Sequence, residues 1–171
     1  MKKILHFLLL IILIGLDQYT KYFAVIVLKD KEAIQIIPKV LQLYYHENTG
    51  AVWGIMSGKV SFLIIITTII MVGMIALYFK IPQAKRYNFL RILIVFVAAG
   101  AIGNLIDRCM RQYVVDFIYF ELINFPIFNV ADIYVTVSAI TLVLLSIFYY
   151  KDEDFDFLSK KDAKKDVNQN E

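Results

Sequence analysis

Four long apolar runs constrain this sequence more than any other feature. They extend over residues 4–28, 60–79, 89–106 and 133–150. A helix needs roughly 20 apolar residues to cross the hydrocarbon core of a bilayer, and each run is close to that length. The composition agrees, because 60% of the 171 residues are hydrophobic and only 19% are charged. The sequence therefore predicts a membrane all-α protein with four transmembrane helices.

The composition also excludes several other classes of protein. A single cysteine cannot form an internal disulfide, and seven glycines with three prolines fit neither a fibrous nor a low-complexity chain. The net charge is +3, but the basic residues are dispersed along the chain, so no nucleic-acid partner is expected. The sequence predicts one membrane domain over residues 1–150 and a polar, disordered cytoplasmic tail over residues 151–171.

The loops predict how the chain is oriented in the membrane. The connection from Lys80 to Arg91 holds four basic residues in twelve, so by the positive-inside rule it faces the cytoplasm. Four crossings then place both termini in the cytoplasm and residues 29–59 and 107–132 on the outer face. Residues 33–53 alternate loosely between apolar and polar side chains, which predicts a small extracytoplasmic β-sheet between helices 1 and 2.

Charged residues interrupt the first apolar run. Asp17, Thr20 and Lys21 are spaced so that they share one helix face. A charge near the middle of a membrane costs about 2.5–3.5 kcal/mol on insertion scales, so each charge needs compensation. In one interpretation Asp17 and Lys21 form an internal ion pair, with Lys21 reaching outward to the interface. In the other, the same face supports a functional site.

A second polar face ends the third apolar run. Asn104, Asp107 and Arg108 lie on one side of the predicted helix, after the small residues 98–101. Small residues allow two helices to approach closely. Asp107 and Arg108 are compatible with an interfacial ion pair that ends the helix. They are equally compatible with a site in which Arg108 binds a carboxylate.

Two further aspartates lie among apolar residues on the predicted outer side. Asp116 follows two valines, and Asp132 directly precedes the last apolar run. Two neighbouring carboxylates can share one proton, so that one acts as a general base and the other as a general acid on a bound water. Such a pair hydrolyses an amide without a metal ion. The alternative interpretation is that these aspartates are helix caps at the membrane surface.

The histidines do not suggest a metal site. His6 and His46 are far apart in the sequence and lack the spacing of known zinc motifs. Cys109 has no base placed by spacing, so a cysteine nucleophile is not expected either. The sequence therefore predicts neither a metal nor another cofactor.

Five ordered motifs, which together span all four apolar runs, resemble those of bacterial lipoprotein signal peptidase, also called signal peptidase II. They are DQYTK at 17–21, NTGA at 48–51, GNLIDR at 103–108, VVDFI at 114–118 and FNVAD at 128–132. Members of this family are intramembrane aspartic endopeptidases of the cell membrane. They remove the signal peptide from a diacylglyceryl-modified prolipoprotein, cutting just before the lipidated cysteine, and they are the target of globomycin.

The resemblance implies roles for particular residues. Asp116 and Asp132 match the catalytic aspartates of the family. It further implies an outer sheet that cradles the substrate, an active site toward the outer face and an enzyme that works as a monomer among membrane lipids. The positions expected to bind substrate or to support the site are Asn104, Arg108, Asn129, Asp17, Lys21, Asn48 and Asp107.

Three positions depart from common family patterns. Gln112 stands where many members have glycine, which predicts a differently built turn before the Val-Val-Asp motif. Trp53 and Ile133 replace commoner residues near the predicted pocket. These substitutions affect the expected shape of the pocket rather than its chemistry.

Two other functions fit parts of the sequence. A small ion- or proton-linked transporter subunit would use the intramembrane charges as a relay, but it predicts internal repeats or broken helices, and the sequence has no internal repeat. A non-enzymatic assembly protein would use Gly100 and Gly103 to pack against a partner helix. Neither explains why acids concentrate at the outer ends of the last two helices.

Overall fold

Four long helices form the body of the protein in a computed structural model, which describes residues 2–50, 56 and 58–158. They are α1 (Lys2–Leu28), α2 (Val60–Lys80), α3 (Asn88–Arg111) and α4 (Val130–Phe148). All four are long and apolar enough to cross a membrane. Their outer surfaces carry exposed aliphatic side chains, as lipid-facing helices do. The prediction of a four-helix membrane protein is confirmed.

Two helix boundaries differ from the sequence prediction. Helix α3 continues beyond residue 106 to Arg111, because Asp107 is buried inside the protein and does not end the helix at a water interface. Helix α4 begins at Val130 instead of residue 133, because Asn129 caps its first turn. In both places, polar residues that resemble helix ends in the sequence belong to the protein interior.

A three-stranded antiparallel sheet lies beside one end of the helices. Its order is β1 (Ile34–Ile37), β2 (Leu41–Asn48) and β3 (Val114–Phe120). The first two strands confirm the predicted sheet between helices 1 and 2, and residues 51–53 of that prediction lie outside the described residues. The sequence analysis missed β3. Its first four residues are buried on both faces, so the strand lacks the alternation that reveals a half-exposed strand.

The register of the sheet brings distant parts of the chain together. Asn48 lies opposite Val114, and His46 lies opposite Asp116, with an irregularity in β2 just before His46. The end of β2 therefore runs alongside the segment that carries Asp116. Because of this pairing, side chains of the motif at 48–51 can reach the motif at 114–118.

Helix α3 is the centre of the bundle and packs against each of the other three helices. Two glycines allow this close approach. A Cβ on Gly100 would lie 2.5 Å from the carbonyl oxygen of Ala131 in α4, and one on Gly103 would collide with the Asp17 carboxylate in α1. The small-residue face is therefore filled by the protein's own helices, and a partner helix is not needed to cover it.

The chain after α4 is partly ordered. Asp152–Leu158 forms a short 3₁₀ helix. Its Phe155 ring packs edge-on against Tyr150, and Asp154 accepts two hydrogen bonds of 2.6 Å from Arg86. This stretch was predicted to belong to a disordered tail because it is rich in acids. Its two aromatic residues, Phe155 and Phe157, pack against Tyr150 and Tyr87 and order it. Residues 159–171 of the predicted tail lie outside the described residues.

Candidate active site

Asp116 is buried on strand β3, with only 1% of the residue exposed. Its carboxylate accepts a hydrogen bond of 2.8 Å from Asn48 Nδ2 and another of 2.6 Å from Asn129 Nδ2. Burial and, next, repulsion from the Asp132 carboxylate raise the pKa of Asp116 to about 7, against the opposing effect of the two amides. A substantial fraction of this side chain is therefore still protonated near neutral pH.

Asp132 lies in the first turn of α4. Its Oδ2 accepts the backbone N–H of Asn129 at 3.1 Å, and the Asn129 side chain accepts the backbone N–H of Asp132 in return. This reciprocal arrangement is a capping box. Asn104 Nδ2 donates a further hydrogen bond of 2.9 Å to Oδ1. The interpretation of Asp132 as a helix N-cap is wrong: Asn129 is the N-cap, and Asp132 is the third residue of the helix, whose carboxylate completes the capping box. Asp116, which lies on a strand, caps no helix.

Asn129 joins the two carboxylates. Its side-chain amide donates to Asp116, while its backbone N–H donates to Asp132. Asn129 is fully buried, and every polar atom of its side chain is used, because Nδ2 also donates to Asn104 Oδ1 at 3.1 Å. Both aspartates also line a single cavity of about 950 Å³. The sequence could not show that they meet, and the fold brings them into one hydrogen-bonded group.

The Asn104 side chain has its orientation fixed by its neighbours. Its Oδ1 accepts from Lys21 Nζ at 2.8 Å as well as from Asn129. The opposite orientation would turn the Asn104 oxygen toward the Asp132 carboxylate and its NH₂ group toward the lysine. The Lys21 ammonium therefore ensures that Asn104 presents a donor to Asp132.

Lys21 is fully buried at the centre of a charged cluster. Its Nζ lies 2.9 Å from Asp17 Oδ2 and 3.2 Å from Asp107 Oδ2. The interpretation in which Lys21 reaches outward to the interface is wrong. Lys21 forms the internal pair with Asp17 and also supports the site, because it donates to Asn104. The two acids also accept backbone N–H groups: Ala131 donates to Asp17, and Val115 donates to Asp107. The cluster thereby joins α1 to α4 and α3 to β3.

Arg108 does not pair with Asp107. Within the part of the chain that the structure describes, Asp107 contacts Lys21 and, at 3.8 Å, Arg111. Arg108 instead lines the cavity and donates from Nη2 to the carbonyl oxygen of Gly50 at 3.0 Å. The backbone N–H of the same Gly50 donates to Asn48 Oδ1 at 2.9 Å. Arg108 and Asn48 therefore hold the chain that follows β2 at the edge of the cavity.

The cavity combines this polar wall with a long apolar one. From the two aspartates it continues between α2, α3 and α4, where its lining includes Ile70, Met74, Val97, Ala101 and Val135. Ile133 also lines it, as the sequence analysis expected, whereas Trp53 lies outside the described residues. His46 also lines the cavity, although its sequence suggested only a test for a metal site. The available signal was its position in a predicted strand, where His46 and its neighbour Tyr45 face opposite sides.

No three metal-binding side chains come together among the residues that the structure describes. The comparisons with known proteins instead point to one family. The model of the family described as signal peptidase (SPase) II matches residues 9–148. The chain belongs to the signal peptidase II family. Lipoprotein signal peptidases of Staphylococcus aureus strains JH9 and Newman are each 41% identical to it over 130 residues, which is 75% of this chain and 78% of the relative.

Two solved structures of bacterial membrane enzymes share this fold. One bacterial membrane enzyme determined by the in meso method at 2.3 Å resolution is 37% identical, with a TM-score of 0.74 over 86% of this chain and 92% of that one. A second, at 1.9 Å, is 38% identical, with a TM-score of 0.71 over 85% of this chain and 94% of that one. The chain is therefore a membrane protease, and the comparisons give no support to a transporter subunit.

Proposed function

We propose that Asp116 and Asp132 are the catalytic pair with which this lipoprotein signal peptidase removes signal peptides from prolipoproteins. The observation that carries the proposal is the double contact of Asn129, whose side chain binds one carboxylate while its backbone binds the other. Both carboxylates also line a cavity with a long apolar wall, as an enzyme needs when its substrate is an apolar membrane segment. Peptide-bond hydrolysis by two aspartates requires this pairing and no covalent intermediate.

The hydrogen bonds suggest different roles for the two aspartates. Asp132 accepts two N–H donors at the N-terminus of α4, where the partial positive charge of the helix stabilises an anion. Asp116 has a pKa of about 7, so a substantial fraction of it is protonated at neutral pH and can act as the acid. Asp132 then removes a proton from the attacking water, and Asp116 protonates the carbonyl oxygen. When the tetrahedral intermediate collapses, Asp132 passes its proton to the leaving amine and Asp116 recovers its own.

Lys21 has a positioning role in this mechanism. It fixes the Asn104 amide, and Asn104 in turn presents Nδ2 to the carboxyl group of Asp132. Asn129 does the same for Asp116 through its own amide. Arg108 and Asn48 hold the segment around Gly50 at the edge of the cavity, where they are placed to contact a substrate.

The apolar part of the cavity fits the substrate class. An apolar segment of a signal peptide can lie between α2, α3 and α4, with its scissile bond at the aspartates. We further propose that the lipid of a diacylglyceryl-modified cysteine stays in the outer leaflet beside the sheet, and that the cut falls just before this cysteine. We also propose that the basic loop over residues 80–91 and both termini face the cytoplasm. The enzyme works as a monomer, since one copy of the chain holds both aspartates.

The direct test is the conversion of each aspartate to asparagine in the purified full-length enzyme. We expect Asp116→Asn and Asp132→Asn each to abolish cleavage of a lipid-modified prolipoprotein, measured by gel shift and mass spectrometry. Asp30→Asn is the matched control, because Asp30 is an exposed loop carboxylate and this variant should cleave at the normal rate. Globomycin should block cleavage by the wild type and by Asp30→Asn. Full activity in either catalytic variant would contradict the proposal.

A further inference from the structure

A second cleft lies away from the aspartates, between α1, α2 and α3. It measures about 290 Å³, and its lining includes Lys3, His6, Leu10, Tyr78, Phe79 and Ala98. Met74 is the one residue, among those described, that lines both this cleft and the active-site cavity. The cleft lies where α1 begins and α2 ends, at the opposite end of the bundle from the sheet. The proposed peptidase mechanism makes no use of it.

The cleft exists because of how the helices pack. Helices α1 and α2 each pack against α3 but hardly against one another. The walls between them are aliphatic and aromatic, so in a bilayer the gap is accessible to acyl chains and not to water. Its volume is close to the lower end of the roughly 300–1,000 Å³ that is typical of ligand pockets. It therefore holds part of one lipid chain and not a whole lipid.

Polar groups occur at the rim of this apolar gap. His6 Nδ1 and the Tyr78 hydroxyl are 2.7 Å apart and satisfy each other. Lys3 Nζ lies 5.3 Å from the centre of the Phe79 ring, and Lys2 reaches Asn88 Oδ1 at 3.5 Å. Neither lysine forms an ion pair with a carboxylate in the described part of the chain. One cation, Lys3, thus lines the cleft, and a second, Lys2, lies beside it against the start of α3.

The positive charges of Lys2 and Lys3 are not balanced by acidic side chains among the described residues of the cleft. The sequence has no Asp or Glu between residues 2 and 16 or between residues 60 and 106. Among the described residues, the acids of Asp152–Leu158 follow α4, and this segment packs at the ends of α3 and α4, where Asp154 pairs with Arg86. No acidic residue is among the residues that line the cleft. Its electrostatic complement is therefore an anion.

We propose that this cleft binds an anionic glycerophospholipid, with its phosphate on Lys3 and Lys2 and one acyl chain between α1 and α2. A basic pocket between transmembrane helices is a known physical basis for binding acidic headgroups. The acyl chain gains little by leaving one apolar environment for another, so the headgroup charge supplies the selectivity. A signal peptide is excluded as the occupant, because its amino-terminal region is positively charged and the two lysines would repel it.

The experiment compares two lipids that differ only in headgroup. The purified full-length enzyme in neutral detergent is titrated with phosphatidylglycerol or with phosphatidylcholine of the same acyl chains, and the bound lipid is counted by native mass spectrometry. We expect one tightly bound phosphatidylglycerol, with an affinity roughly 25-fold above that of phosphatidylcholine, since each of the two lysines near an anionic group contributes about five-fold. Equal affinities would overturn the proposal.

A pair of variants separates a site from general attraction to a basic surface. Lys3→Gln removes a cation that lines the cleft and should lower the phosphatidylglycerol affinity about five-fold, while the phosphatidylcholine affinity stays the same. Lys85→Gln removes an exposed cation at the same end that lies outside the cleft, and it should bind like the wild type. Wild-type affinity in Lys3→Gln, or an equal loss in Lys85→Gln, would contradict the proposal.

A steric variant tests the acyl-chain part of the site. Ala98→Leu fills the cleft while leaving both lysines in place, and it should weaken phosphatidylglycerol binding. Both Lys3→Gln and Ala98→Leu should still cleave prolipoprotein in phosphatidylcholine–detergent micelles, which shows that they fold. Retained lipid binding in an active Ala98→Leu enzyme would contradict the acyl-chain placement. The lipid readout does not depend on the catalytic aspartates, so the two proposals can fail separately.

Discussion

At the sheet end of the bundle, Asp17, Lys21 and Asp107 are buried and form ion pairs, whereas at the opposite end Lys2, Lys3 and Lys80 are exposed. Both ends are polar in the sequence, but they differ in what a charge does there. In the buried network each charged group holds another in place, because no water is available to replace a lost partner. At the basic end these exposed lysines are solvated, and each acts almost alone.

The largest expected effect comes from removing the central cation of the buried network. Lys21→Met leaves Asp17 and Asp107 buried without their counter-charge, which costs about 3–5 kcal/mol of stability for a broken buried pair. It also frees the Asn104 amide to turn. We expect a large fall in the unfolding temperature in detergent and a loss of most peptidase activity.

The matched change at the basic end is Lys80→Met, which removes an exposed cation. Its unfolding temperature and cleavage rate should stay close to those of the wild type. If both lysine variants behaved alike, the contrast between the two ends would be wrong.

Adding one methyl group to α3 should have the next largest effect. In Gly103→Ala the new Cβ collides with the Asp17 carboxylate, and this should cost about 1–3 kcal/mol as Asp17 shifts away from Lys21. Gly73→Ala is the control, because no atom lies within 4 Å of the Cβ position there. Thermal unfolding should show a loss for the first variant and none for the second, and equal losses would contradict the packing argument.

The pH dependence of the reaction tests the proposed role of Asp116. Its pKa of about 7 is that of a group that must be protonated to act as the acid, so the rate should fall as the pH rises through that value. Asn48 donates to the carboxylate and lowers this pKa. In Asn48→Ala the pKa rises, and the alkaline limb of the rate profile should move to higher pH.

The control for this shift is Asn88→Ala at the basic end, where Asn88 contacts Lys2 and Arg91. Its alkaline limb should coincide with that of the wild type. If the alkaline limb of Asn48→Ala coincides with that of the wild type, the pH dependence does not come from Asp116.

The smallest expected effect concerns the turn between α3 and β3. Gln112 has a φ of 65°, a left-handed conformation that costs a residue with a side chain about 1–2 kcal/mol. Glycine adopts this conformation freely but loses some entropy on folding, so Gln112→Gly should stabilise the protein by about 1 kcal/mol or less. Gln112→Ala keeps the strain and should give no gain. An unfolding temperature equally raised in both variants would exclude relief of strain as the cause.

The sequence alone predicts the helical part of this fold well and the site only in outline. Four apolar runs leave a chain few alternatives in a membrane, so the helices could be foreseen. The same information could not show that Lys21 points inward, because a buried and an interfacial lysine look alike in a single sequence. Strand β3 was missed because its buried, unbroken apolar start resembles any short apolar stretch.

The role of Asn129 could not be foreseen from the residues by themselves. Its position before α4 indicates a helix cap, and it is one. That it also reaches Asp116 depends on the isolated pairing of Phe128 with Ile118, which brings the start of α4 beside β3. Contacts of this kind join segments through the fold and leave no local pattern in the sequence.

The most direct test of the central claim measures whether the two aspartates act as one unit. The cleavage rates of Asp116→Asn, Asp132→Asn and the double variant are compared on the same lipid-modified prolipoprotein. Groups that act together are strongly non-additive, so each single variant should already be as inactive as the double variant. A single variant that keeps a large part of the wild-type rate, with a further fall in the double variant, would show that the aspartates act independently.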